Sequence, residues 1–124
     1  MMIQTPTNEH MILVRGTDWQ GAHSPAQMQA LMTDIYAWID GLHQRGILRS
    51  VQPLMEEGKI VAGENGASIS DGVFAESKEA IAGYLILNVQ TMDEALSVAR
   101  ACPMLKYGAR LEVRRIADMK VDFV

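Results

Sequence analysis

Two stretches of the chain carry side chains able to move a proton or hold a ligand: the segment DGVFAESKE from Asp71 to Glu79, and His23 just ahead of Ser24-Pro25. Asp71 before Gly72 is in the first instance a turn, the carboxylate accepting backbone N–H groups while glycine supplies positive φ. Beside Phe74 it also reads as a carboxylate at a cleft mouth, where burial favours the neutral acid and suits the group to proton transfer. Glu76, Lys78 and Glu79 make an ordinary solvated cluster, yet a lysine between carboxylates also suits an anionic ligand. His23 sits where a helix dipole disfavours imidazolium, so a neutral ring is available there as base or ligand. Asp71 and His23 are therefore the candidate catalytic groups, and Gly72, Phe74, Glu76 and Lys78 the candidate ligand-binding residues.

Other pairs are weaker. Asp40 and His43 have the i, i+3 spacing of metal ligands, but two ligands are too few, and histidine is independently favoured at a helix C-terminus, so no metal site is expected. Trp19, Tyr36 and Trp38 suggest an aromatic pocket, although the spacing of Trp38 suits a core position. No GxGxxG, phosphate-binding loop or nucleophile elbow occurs, which removes nucleotide-dependent and triad chemistry by motif; no redox cofactor is expected.

These groups must be positioned by a chain of 124 residues, 48% hydrophobic and 21% charged, which fits a single domain over residues 1–124 with a core of its own. The net charge of -4 argues against nucleic-acid binding, since phosphate contacts need a basic face. Its apolar runs are too short to span a bilayer, MMIQTPTNEH lacks the pattern of a signal peptide, and Cys102 has no partner for a disulfide. The expectation is a cytoplasmic protein, with no membrane partner and with Cys102 as a small buried residue on a helix.

The pattern places the elements as follows. His10 to Arg15 is a strand. Ser24, Pro25 and Gln27 form an N-cap, a first-turn proline and a capping box, opening a helix whose stripe is Met28, Leu31, Met32, Ile35, Trp38, Ile39 and Leu42. Ile47 to Met55, with Pro53, reads as an edge or bent strand. Lys59 to Ala62 and Ala67 to Ser70 flank Gly63-Glu64-Asn65-Gly66 as a hairpin. Tyr84 to Gln90 alternates as a strand, Thr91 and Glu94 form a capping box for a second helix stopped at Pro103, and Arg110 to Ile116 is the last strand. The order gives an α+β, ferredoxin-like β-α-β repeat with an inserted β-hairpin, both helices lying on one sheet face.

Met11 to Val14 put apolar groups on both faces of the first strand, and Ile86 lies opposite Leu85 and Leu87. Two helices cover only one face, so a second copy is expected on the other, as a homodimer through the sheet face. Arg110, Arg114 and Arg115, with Lys106, make the last strand basic, which suits pairing with Glu112 and protection of a sheet edge.

The segments DGVFAESKEAIAGYLIL, MDEALSVARACP and YGARLEVRRI, in this order, resemble the YCII-related family, in particular the branch named for a DGPF motif; SPAQMQALMTDIYAWIDGL extends the resemblance over nearly the whole chain. The resemblance implies a dimeric α+β barrel. Val73 stands where the branch has proline, which leaves φ less restricted there. Shorter members that look enzymatic carry a His in the first turn of helix one and an Asp near its end, and those places fall at Gln27 and Gln44 here. Neither amide exchanges a proton near neutral pH. Three readings follow: a small organic molecule bound in a cleft between helix one and the sheet; an acid-base enzyme of lyase or isomerase type; or a partner-binding module linked to transcription regulation. The third rests on the frequent encoding of such proteins beside or fused to alternative sigma factors.

Overall fold

A computed structural model describes residues 8–16, 18–71 and 80–117. Four strands, β1 (His10–Arg15), β2 (Leu48–Pro53), β5 (Ile81–Leu87) and β6 (Arg110–Arg115), form an antiparallel sheet in the order β2-β5-β1-β6. Helices α1 (Pro25–Gln44) and α2 (Met92–Arg100) connect β1 to β2 and β5 to β6. Between β2 and β5, strands β3 (Lys59–Ala62) and β4 (Ser68–Asp71) form a separate two-stranded hairpin. This is the ferredoxin-like α+β plan with an inserted hairpin.

Alternation along β1 and β5 sorts the sheet into two faces. Ile12, Val14, Leu85 and Leu87 point toward the helices and close a core with Leu31 and Leu42 of α1 and Ala95, Val98 and Ala99 of α2. Ile12 and Leu87 are fully buried, so removing either side chain to alanine costs about 2–5 kcal/mol. Met11, Leu13, Tyr84 and Ile86 face the other way and are half-buried. Their register partners on β6 are charged: Met11 lies opposite Arg114 and Leu13 opposite Glu112. The Arg15 guanidinium donates across strands to Glu112 at 2.8 Å, and Arg114 approaches the same carboxylate along its own strand at 3.6 Å.

The α1 N-terminus forms as the sequence reads: Ser24 Oγ accepts from the Gln27 N–H at 3.1 Å, and Gln27 Oε1 accepts from the Ser24 N–H at 2.8 Å. Of the expected stripe, Leu31 and Leu42 are buried and Met28, Ile35 and Trp38 pack on the core, but Met32 is exposed because it falls at the margin of the apolar arc. Trp19 joins the core instead of lining a pocket, its indole N–H donating to the Gly16 carbonyl at 2.9 Å. Tyr36 is exposed.

Other boundaries shift. β5 begins at Ile81 rather than Tyr84 and ends at Leu87. The early start hides in Ala82 and Gly83, small residues with low strand propensity. Gly83 is needed there, because a Cβ would stand 2.8 Å from the carbonyl oxygen of Gln52 on β2. The capping box of α2 is half formed: Thr91 Oγ1 accepts from the Glu94 N–H, while the Glu94 carboxylate accepts from the Thr91 hydroxyl and not from its backbone. Cys102 is buried, but it lies beyond the end of α2, heading a short 3-10 turn over Pro103–Tyr107.

Candidate functional site

The 3-10 turn brings the C-terminal half of the chain against the start of α1. Gly108 closes it with φ of 104°, a left-handed geometry that favours glycine, and a Cβ there would meet Trp19 Cβ at 3.0 Å. Trp19 thus fixes where Tyr107 comes to rest.

His23 packs on Tyr107 edge to face, ring centroids 4.8 Å apart at 66°. His23 Nε2 lies 3.0 Å from the Tyr107 carbonyl oxygen, which can only accept, so Nε2 carries the proton and donates. In the neutral ring the lone pair then resides on Nδ1, and no other hydrogen bond engages the ring among the described residues. The Tyr107 hydroxyl donates to the Gln27 carbonyl at 3.2 Å, which keeps its oxygen lone pairs as acceptors. Lys106 stands 5.8 Å from the Tyr107 ring centroid and 3.7 Å from Asp34, too long a separation to occupy the ammonium fully. One imidazole acceptor, one phenol oxygen and one cation therefore gather at the junction of α1 with the turn.

The residues singled out by sequence do not all meet. Asp71 ends β4, exposed, and pairs with Lys59 directly opposite on β3. No hydrogen bond or ion pair joins it to His23 among the described residues. Gly72, Phe74, Glu76 and Lys78 lie outside the described residues. The two glutamines at the family's acid-base positions are occupied structurally: the Gln27 side chain caps α1, and Gln44 Nε2 donates to Asp40 Oδ2 at 2.7 Å. Among the described residues no cluster of three or more His, Cys, Asp or Glu could hold a metal.

Sequence reasoning missed Tyr107 and His10. Tyr107 belongs to YGARLEVRRI, but nothing local links a tyrosine there to a histidine 84 positions earlier. His10 reads as a strand residue, yet it is buried at 1% exposure and its Nδ1 donates to the Val89 carbonyl at 3.1 Å, tying β1 to the loop before α2. Among the described residues Cys102 is the group whose titration clearly moves: burial pushes the thiol up, outweighing the backbone N–H groups of Met104 and Leu105 that favour the thiolate.

A four-stranded antiparallel sheet in the order β2-β5-β1-β6 with two helices on one face defines an α+β protein of the ferredoxin-like class. Within that class, the chain belongs to the YCII-related domain family, whose model matches residues 9–120. No curated relative matches the sequence. Among solved structures it is similar to 5-chloro-2-hydroxyhydroquinone dehydrochlorinase from Burkholderia phenoliruptrix in complex with 2,5-dihydroxybenzoquinone, at 16% identity over 88% of this chain and 93% of the other, with a TM-score of 0.48. Among the described residues no helix is long and apolar enough to cross a membrane.

Proposed function

We propose that this YCII-related protein, of the DGPF-motif branch, is a homodimeric small-molecule-binding domain of the cytoplasm. Its site is the junction of α1 with the 3-10 turn, where His23 and Tyr107 meet. The observation that carries the reading is the donation from His23 Nε2 to the Tyr107 carbonyl, which fixes the neutral tautomer and presents Nδ1 as an oriented acceptor. Such a site takes a small organic molecule that brings a hydroxyl or N–H to Nδ1 and a negative charge toward Lys106. Binding ranks ahead of acid-base catalysis because both glutamines at the family's acid-base positions are held by structural hydrogen bonds. Half-buried Met11, Leu13, Tyr84 and Ile86 support pairing of two copies through the helix-free face.

A thermal-shift screen of phenols and hydroxybenzoates tests the site, since a ligand of the folded state raises the melting temperature with the logarithm of its excess. We expect a hit whose shift is lost in His23→Phe. A hit untouched by that substitution overturns the assignment. An acid-base role for His23 requires, in addition, turnover of that ligand with a pH profile that His23→Phe abolishes.

A further inference from the structure

We propose that Arg110 is a positioning residue of the His23–Tyr107 site: its guanidinium ties together the two loops that carry those side chains. The inference rests on the assignment of the site in the preceding section. His23 lies four residues beyond Trp19, and Tyr107 directly precedes Gly108. Their hydrogen bond keeps its geometry only if the loop after β1 and the loop before β6 hold a fixed relation.

The two loops clasp each other reciprocally, each through a glycine at positive φ that makes room for a side chain of the other. Gly108, at φ of 104°, leaves space for Trp19. Gly16, at φ of 85°, leaves space for Arg110, because a Cβ on Gly16 would collide with one terminal nitrogen of its guanidinium. Hydrogen bonds close the clasp. The Trp19 indole donates to the Gly16 carbonyl at 2.9 Å, and the Arg110 nitrogen that lies against Gly16 donates to Asp18 Oδ1 at 3.0 Å. The other terminal nitrogen of Arg110 donates to the Gly108 carbonyl at 3.4 Å. Arginine presents these donors in a rigid fork, whereas lysine offers a single point of attachment on a flexible stem.

The hold reaches the site through one peptide plane. The Gly108 N–H donates to the Leu105 carbonyl at 3.1 Å, and the Tyr107 carbonyl, across the same rigid unit, accepts from His23 Nε2 at 3.0 Å. Trp19 bounds the position of Gly108, and Arg110 holds the next carbonyl along the chain. Glycine has little conformational preference of its own, so the direction of the Tyr107 carbonyl depends on these neighbours. The Arg110 side chain is 46% exposed, and its removal leaves no hole in the core. Arg114, on the same strand, turns to Glu112 instead and provides the comparison.

NMR of the ring nitrogens in the ligand-free protein tests the proposal, with the His23 signals assigned through His23→Phe. The two nitrogen shifts of a neutral imidazole stand furthest apart when one tautomer is held, and they approach each other as the tautomers mix. At about pH 8 we expect the widest separation in the unmodified chain and a narrower one in both Arg110→Ala and Arg110→Lys. Arg114→Ala, which also removes an exposed ion pair, should leave the separation unchanged, because a small loss of stability lowers the melting temperature without moving this ring. Equal separations in the unmodified chain and Arg110→Ala overturn the proposal and leave the site. Full recovery in Arg110→Lys overturns it as well, since a charge opposite Asp18 would then suffice. The same narrowing in Arg114→Ala also overturns it, since any charge lost from β6 would act alike. A narrow separation already present in the unmodified chain overturns the oriented acceptor at His23 and the role of Arg110 with it. Narrowing in both Arg110 variants, combined with a thermal-shift hit that His23→Phe leaves untouched, overturns the binding site but supports the hold of Arg110 on the ring.

Discussion

The His23 imidazole and the Tyr107 backbone hold each other in place: Nε2 donates to the carbonyl at 3.0 Å while the ring meets the Tyr107 ring edge-on. One contact thereby fixes which nitrogen can accept and docks the 3-10 turn against the start of α1.

His23→Phe keeps the aromatic contact and removes both ring nitrogens. The unmade hydrogen bond should cost about 1 kcal/mol in urea unfolding, while any ligand-induced rise in melting temperature disappears. A retained ligand response at equal affinity would place the ligand elsewhere.

Asp71→Asn should leave stability within about 0.5 kcal/mol, because an exposed ion pair such as that with Lys59 contributes little. The same variant is the direct test of Asp71 as a functional carboxylate, since it removes the charge at almost constant shape. Reduced affinity for the screened ligand with an unchanged melting temperature would assign Asp71 to the site; unchanged affinity would leave it as a hairpin residue.

Gly108→Ala should destabilise by about 1–3 kcal/mol, because alanine resists φ of 104° and its methyl crowds Trp19. Calorimetry measures the loss, and near-ultraviolet circular dichroism should show Trp19 repacking. A stability equal to that of the unmodified chain would mean that the turn does not press on the indole.

Cys102 should resist alkylation in the folded protein at pH 8 and react on denaturation, because burial keeps the thiol protonated. The folded thiol holds its proton to higher pH than the unfolded one. Its contribution is therefore intact below the ordinary value of 9.0 and declines as pH rises through it, since the unfolded chain loses the proton first. Cys102→Ala should flatten that alkaline decline in a pH series of urea midpoints.

The elements that local rules govern were legible in the sequence. Ser24, Pro25 and Gln27 announce the start of α1, and Asn65, at φ of 59°, turns the hairpin where the Gly-Glu-Asn-Gly run places it. What escaped depends on contacts distant in sequence. Gly83 belongs in β5 because β2 passes close above it, Trp19 is core because Gly108 leaves room for it, and Tyr107 reaches His23 only once both β-α-β halves have docked. Of the site, His23 was legible from its place before a helix cap. Its partner was not, since a backbone carbonyl carries no residue-type signal.

The central place of β1 has a consequence for how the chain is made. Ile12 pairs with Leu85 on one side and Val113 on the other, both beyond α1 and the hairpin. The strand synthesised first must therefore wait for the one synthesised last, with both edges of Met11 to Val14 open until β5 is made and one edge open until β6 is. An emerging chain thus carries its stickiest segment longest, which makes elongation pauses ahead of β6 and early release hazardous, and makes β1 the place where a holding chaperone would act.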